Sequence, residues 1–231
     1  DLELPNQLIE AIDISKKNGL KHAFSTVKKN KGDLHIMGLV SDGGIHSHQN
    51  HLYKLCELSR NEGVENVFIH AFTDGRDCDP KSGLRFIKKL EKNLHGAQIA
   101  SVCGRYYAMD RDKRWQRIKL AYDLLTKGYG VKSQNLSENI QQSYDDGVTD
   151  EFIKPIVHID KNGHPVGKIQ EEDAVICFNF RTDRCREITT VLTQTNMPDF
   201  DMQKLKLHYT TITNYDDTFQ KVNVIFDKEK I

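Results

Sequence analysis

The stretch "DLHIMGLVSDGGIHSH", Asp33 to His48, decides the fold. Its first eight residues form a nearly continuous apolar run of strand length, the pattern of a parallel strand covered on both faces. The run stops at a polar loop containing Gly43-Gly44, and a helix over His51–Asn61 follows, with Leu52, Leu55, Cys56 and Ser59 on one face and Gly63 beyond its end. The same unit recurs twice. "NVFIHAF" (Asn66–Phe72) leads through "TDGRDCDP" to a helix over Lys81–Leu94, and "AQIASVC" (Ala97–Cys103) leads through "GRYYAMDRDKRW" to a helix ending at Lys127. Strands alternating with helices predict an α/β fold, a three-layer α/β/α arrangement with a mostly parallel sheet and right-handed crossovers.

The flanking sequence fits around this frame. Residues 5–18 carry Leu8, Ile9 and Ile12 at helical spacing and end at Asn18-Gly19, and a second helix is predicted over Leu20–Lys29, so residues 1–32 read as a helical lead-in. After Tyr129 the rhythm breaks. A helix near Leu136–Tyr144 precedes "IVHIDKNGHPVGKI", where Asn162-Gly163 between two short runs predicts a β-hairpin over about 156–169. The parallel pattern then resumes with "DAVICFNF" (Asp173–Phe180), the loop "RTDR", a helix from about Cys185 to Leu192, a strand near Leu205–Thr213 and a polar tail. Residues 1–231 are accordingly expected to form a single domain.

The composition excludes several functional classes. Among 231 residues, 33 Lys+Arg balance 33 Asp+Glu, which argues against a general electrostatic grip on nucleic acid or on an anionic membrane. No apolar run is long enough for a membrane span and no signal peptide is recognisable, so a cytoplasmic location is expected. Five cysteines without a CxxC pair predict neither a disulfide framework nor a zinc cluster. A first residue of Asp, not Met, suggests a piece of a longer protein.

In open α/β sheets, ligands gather outside the carboxyl ends of the strands. Four such ends carry polar loops here: Ser41–His48, Asp74–Pro80, Gly104–Trp115 and Asn179–Arg184. They hold His46 and His48; Arg76 with Asp74 and Asp77; Arg105 and Arg111; and Arg181 and Arg184. Five arginines converging on one edge repel one another unless a polyanionic ligand is present, and a small phosphorylated carboxylic acid would occupy two sets of forks. Each loop also has a plain structural reading: a strand-helix turn with capping residues for "SDGGIHSH", and a surface ion pair for "DGRDCDP". Asp77 beside the arginines is a candidate proton acceptor for a substrate hydroxyl. Cys78 lacks a base, and His46, His48 and His51 have metal-like spacing but no carboxylate or cysteine completing a set. Arg181 and Arg184, three apart, suit one anion held at a starting helix turn.

Taken together, "GLVSDGGIHSHQNHL", "HAFTDGRDCDP", "GRYYAMDRDKRW" and "FNFRTDR" resemble, in order and spacing, the motifs of the cofactor-independent (2,3-bisphosphoglycerate-independent) phosphoglycerate mutases, from about Leu34 through Asp217. The resemblance implies an isomerase of glycolysis and gluconeogenesis that interconverts 3-phosphoglycerate and 2-phosphoglycerate through a phosphoserine. In that family one α/β domain holds two divalent metals, usually manganese, and the serine. A second, inserted transferase domain holds the glycerate, and this chain resembles the inserted domain alone.

By this resemblance His46 contacts substrate, Arg76 and Asp77 sit at the glycerate hydroxyls with Asp77 as acid/base, Arg105 and Arg111 bind carboxylate or phosphate, and Arg181 and Arg184 clamp the phosphoryl group, Arg181 assisting transfer. No metal is expected in this chain, and its partners are the phosphoglycerates and the phosphatase-like domain of the same polypeptide, with neither nucleic acid nor membrane. A monomer without mutase activity of its own is expected. The rival readings are a module binding RNA or a small anion without chemistry, and a stand-alone phosphatase or sugar-phosphate isomerase.

Overall fold

Each apolar run of the sequence becomes a strand of one sheet. The structure is a computed structural model that describes residues 18–226. Its strands are β1 (Leu34–Leu39), β2 (Val67–Thr73), β3 (Gln98–Gly104), β4 (Val131–Ser133), β5 (Ile156–His158), β6 (Ala174–Cys177), β7 (His208–Thr211) and β8 (Val222–Val224). They lie in the order β4-β5-β3-β2-β1-β6-β7-β8. Every pairing is parallel except that of β3 with β5. The helices are α1 (Asn18–Asn30), α2 (Gln49–Asn61), α3 (Gly83–Glu91), α4 (Arg105–Ala108), α5 (Trp115–Lys127), α6 (Leu136–Asp145) and α7 (Arg186–Thr193). The helix expected over residues 5–18 falls almost wholly outside the described residues.

All residues of β1 and β2 are buried, as strands covered on both faces must be. One apolar layer joins Leu34, Ile36 and Ile69 to Leu20 and Phe24 of α1, Leu52 and Leu55 of α2, Phe86 and Leu90 of α3 and Ile140 of α6. The other joins Met37, Leu39, Phe72 and Cys103 to Ile118 and Tyr122 of α5 and Ile188 and Val191 of α7. This is the three-layer α/β/α arrangement. Polar side chains inside the sheet satisfy one another: His35 Nδ1 meets His70 Nε2 at 2.9 Å, His70 Nδ1 meets Ser101 Oγ at 2.8 Å, and His35 Nε2 meets Asp173 Oδ2 at 2.9 Å. No helix among the described residues is long and apolar enough to cross a membrane, and the five cysteines are free thiols.

Three details differ from the sequence reading. The single helix expected after β3 is two, α4 and α5, separated by the loop 109–114. In the 156–169 segment, β5 enters the main sheet against β3, and the ribbon narrows to one bridge, Ile159 to Pro165, with the Asp160 carboxylate accepting from Asn162 N and His164 N at the turn. The strands β4 and β8 were not expected, since three residues are too few to show a period.

The chain order places β1 between β2 and β6, so the path leaves β1 toward β2 and β3 and later returns to β6 on the other side. That is a topological switch point, where loops at the carboxyl ends diverge and leave a crevice. The four polar loops follow β1, β2, β3 and β6, which are four neighbouring strands. Behind β2 and β3 the turn 149–153 buttresses the edge: Thr73 Oγ1 donates to Asp150 O at 2.7 Å, and Gly104 N donates to Ile153 O at 2.8 Å. A Cβ on Gly104 would stand 2.4 Å from Glu151 O and 2.7 Å from Ile153 N, both backbone atoms that cannot swing aside. Gly104→Ala is therefore expected to lower stability by about 3 kcal/mol, read from the urea midpoint; a change below about 0.5 kcal/mol would show that the turn is not held against β3 as described.

Candidate functional site

Arg105 opens α4 directly after β3, yet its side chain is only 4% exposed. A buried guanidinium requires compensation, and the loop after β2 provides it. Arg105 Nη1 donates to Asp74 Oδ1 at 2.9 Å and to Asp77 Oδ2 at 2.8 Å. Asp74 in turn accepts from the Ser41 hydroxyl at 2.7 Å, from Asp77 N at 2.9 Å and from Arg76 N at 3.1 Å. Burial alone would raise the Asp74 carboxyl, but these hydrogen bonds and the Arg105 charge outweigh it and hold the group below the ordinary aspartate range. Gly75, next to Asp74 in the same loop, has φ +66 and a Cβ there would sit 2.7 Å from Glu151 N, so only glycine fits this turn.

The loop after β1 contributes His46, 3% exposed, whose Nε2 lies 3.1 Å from Arg105 Nη2 and 3.7 Å from Asp77 Oδ2. An arginine nitrogen only donates, so Nε2 is the acceptor and the ring proton resides on Nδ1. Burial, reinforced by the Arg105 charge, pushes His46 down to about 4 and keeps it neutral at physiological pH. Its Nδ1 is buried with no hydrogen-bond partner. The loop is pinned to its neighbour across the switch point by Phe180 N, which donates to His46 O at 2.8 Å.

A second group sits beside the first. Asp183 Oδ2 accepts from Arg111 Nη1 at 3.0 Å, and its Oδ1 lies 3.3 Å from Arg181 Nε without hydrogen-bonding geometry. Burial of Asp183 is outweighed by the Arg111 hydrogen bond and the Arg181 charge, so its carboxyl lies below the ordinary value. Among the described residues Arg184 donates only to Met109 O, at a long 3.4 Å, and its Nε is buried without a partner. Burial and the charges of Arg111, Arg105 and Arg76 together pull the Arg184 guanidinium below its ordinary value, against a single opposing carboxylate, Asp183. Arg76 points outward and stands 3.6 Å from Glu151 Oε1.

The structure thus gathers His46, Asp77 and Arg105 in one cluster and Arg111, Arg181 and Arg184 in an adjoining one, with Arg76 at the rim. Two features differ from the sequence reading. The five arginines are not left without acidic partners: Asp74, Asp77, Asp183 and Glu151 stand against them, and among the described residues Arg184 alone of the five has no ion pair. Arg181 and Arg184 lie in the bend before α7, which starts at Arg186, and not on a helical turn. Tyr106 packs edge-on to Tyr107, lies against Phe152 and is covered by the Arg117 guanidinium 3.8 Å from its centroid, so these rings are structural. Burial lifts the Cys78 thiol to about 11, the wrong direction for a nucleophile.

The roles of Asp74 and Asp183 carry no local signal, because their partners lie 31 and 72 residues away. Among the described residues, the group of His, Cys, Asp and Glu atoms close enough to share a cation is Asp33, His35 and Asp173, at the opposite, amino-terminal end of β1 and β6. There Asp173 accepts from His35 and from Gln170 N.

Residues 6–217 match the family described as the BPG-independent PGAM N-terminus. The chain belongs to this family. The 2,3-bisphosphoglycerate-independent phosphoglycerate mutase of Flavobacterium psychrophilum is 51% identical over 233 residues, covering 100% of this chain and 46% of that protein. Its counterpart from Bacteroides thetaiotaomicron is 52% identical, covering 90% of this chain and 41% of that protein. A solved structure of Leishmania mexicana phosphoglycerate mutase at low cobalt concentration superposes with a TM-score of 0.87 at 31% identity, over 94% of this chain and 42% of that one. The chain therefore spans less than half the length of the relatives it matches.

Two outcomes follow from this geometry. Asp74→Ala strands the buried Arg105 and is expected to cost about 3–5 kcal/mol in denaturant unfolding, whereas a loss below about 1 kcal/mol would mean that Arg105 is not held by this carboxylate. The His46 ring resonances are expected to stay those of the neutral Nδ1-H tautomer from pH 8 down to pH 5 by NMR. Because its folded value is depressed, His46 contributes stability above its ordinary value of 6.5 that fades as pH falls toward about 4. A titration near 6.5 would contradict the burial described.

Proposed function

We propose that this chain is the substrate-binding portion of a 2,3-bisphosphoglycerate-independent phosphoglycerate mutase, an isomerase that interconverts 3-phosphoglycerate and 2-phosphoglycerate. The observation that carries the reading is Arg184, a half-buried guanidinium with an unpartnered Nε in the field of three other arginines. An anionic oxygen is the partner this arrangement lacks. Family membership supports a phosphoglycerate as that anion.

In this reading Arg181 and Arg184 clamp the phosphoryl group and Arg111 takes carboxylate or phosphate after exchanging its contact with Asp183. Arg76, half exposed at the rim, reaches the glycerate hydroxyls. Arg105 is too well compensated to be a free anion binder; it orients Asp77, whose Oδ2 it holds, and leaves Asp77 Oδ1 without a side-chain partner among the described residues. That oxygen is the acceptor for a substrate hydroxyl proton when the phosphoryl group is transferred. The neutral His46 contributes a buried Nδ1–H donor to a substrate oxygen. Water exclusion on this side comes from the packed loops after β1, β2, β3 and β6.

The serine that carries the phosphoryl group and the two divalent metals, manganese in the first instance, belong in this reading to the phosphatase-like portion of the longer polypeptide; when bound there, the metals supply charge stabilisation for phosphoryl transfer. The 231-residue chain then forms a single domain, a monomer in the cytoplasm, that binds substrate weakly and turns none over.

Calorimetric titration of the purified chain is expected to show 3-phosphoglycerate binding that weakens about tenfold or more in Arg184→Ala, the loss of a charge-assisted contact, while a short oligonucleotide binds at neither low nor high salt. Equal affinity in wild type and variant, or mutase turnover by the chain with manganese, would overturn the reading.

A further inference from the structure

The loop 109–114, which presents Arg111, is anchored from beneath by two buried carboxyl groups that the proposed reaction does not use. Asp110, 4% exposed, accepts with Oδ2 from Asp112 N at 3.1 Å and from Arg114 N at 2.9 Å, and its Oδ1 lies 3.8 Å from Arg117 Nη1. Glu187 of α7, 8% exposed, accepts with Oε2 from Lys113 N at 2.9 Å. Lys113 has φ +58, a left-handed conformation that an L side chain adopts only when its surroundings hold it. The anchor therefore bears on the strained residue two positions past Arg111.

The other oxygen of Glu187 is the informative one. Oε1 is buried and, among the described residues, receives no hydrogen from any N–H or hydroxyl, while the amides the two carboxyl groups hold bring them together, Asp110 taking Asp112 N and Arg114 N and Glu187 taking Lys113 N between them. Two carboxylates cannot hydrogen-bond without a proton between them, and an ionised oxygen buried without a donor is costly. Asp110 already serves two backbone amides and faces Arg117, so it is the better anion. The proton consequently belongs to Glu187 Oε1.

We propose that Glu187 is a positioning residue: in its protonated form it donates to Asp110 while accepting from the Lys113 amide, and so holds the loop that presents Arg111. The assignment of Arg111 to a phosphoglycerate pocket rests on the function proposed above; the anchoring itself does not. The charged groups facing the pair are Asp112 from the loop and Arg117 from α5. Burial, the Asp110 hydrogen bond and the nearby aspartates push Glu187 up to about 7, and Asp110 moves the other way, its burial outweighed by the hydrogen bonds from Glu187 and the backbone amides. Since the folded value of Glu187 is raised, its contribution is complete below its ordinary 4.5 and is lost as pH rises through about 7. Deprotonation then sets two buried carboxylates against each other and frees the loop.

The test measures protection factors for the amides of Asp112, Lys113 and Arg114 by hydrogen exchange in the 231-residue chain at pH 6 and pH 8. Wild type is expected to lose roughly tenfold of protection at these amides on going to pH 8, the loss of a charge-assisted bond. Glu187→Gln, which donates and accepts without a titrating proton, is expected to stay protected at both pH values, and Glu187→Ala to be unprotected at both. Protection in wild type that does not change with pH, or loss of protection in Glu187→Gln, would overturn the proposal even if Glu187→Ala fails to fold. Affinity for 3-phosphoglycerate, measured on the same samples, should follow the protection. If protection behaves as stated while no phosphoglycerate binds at any pH, the anchor stands and the reading of the pocket falls.

Discussion

The ion pairing of Arg105 with Asp74 and Asp77 is the constraint on which the site depends. A guanidinium buried at the end of β3 is tolerable only where carboxylates meet it, and both come from the loop after β2. His46 from the loop after β1 accepts from the same guanidinium, so three neighbouring strand ends are tied to one charge. The consequences propagate outward: His46 is neutral with its proton on Nδ1, Asp77 is held by one oxygen and free at the other, and Ser41 is drawn onto Asp74. A residue that looks like a ligand arginine in the sequence is thereby the keystone of the loop cluster, and in the proposed function other arginines meet the ligand.

Three of those others meet across the switch point, Arg111 from the loop after β3 and Arg181 and Arg184 from the loop after β6. Arg111 and Arg181 share the one carboxylate of Asp183, and Arg184 has none to itself. The gradient from two close carboxylates at Arg105 to no ion pair at Arg184 gives the crevice a direction, and in the proposed function proton handling lies toward β2 and anion binding toward β6. The chain belongs to the BPG-independent PGAM N-terminus family and spans less than half the length of the relatives it matches, so the chemistry of the whole mutase enters here only through the function proposed above.

Much of the frame was legible because burial on both faces leaves a plain mark. The runs at Leu34–Leu39 and Val67–Thr73 are largely apolar and buried throughout, and they emerge as the two central strands, with loops where the runs stop. The three-residue strands β4 and β8 left no such mark, and the entry of β5 against β3 depends on a contact across more than fifty residues. In the site, the identities of the arginines and of His46 were readable from the loops. Their pairing was not, since nothing local distinguishes Asp183 as a bridge from Asp183 as a helix-start acid, or Glu187 as a proton donor from Glu187 as a solvated side chain. Long-range contact, and not residue type, decides those roles.

The central claim is that the anion is held on the β6 side of the crevice while Arg105 remains engaged with its two aspartates. Diffraction from crystals of the chain grown with 3-phosphoglycerate tests this most directly. The account expects ligand density within hydrogen-bonding distance of Arg184 and Arg181, with the Arg105 contacts to Asp74 and Asp77 intact. Density bound through Arg105 after it has left those aspartates, or ligand bound away from this edge of the sheet, would contradict it.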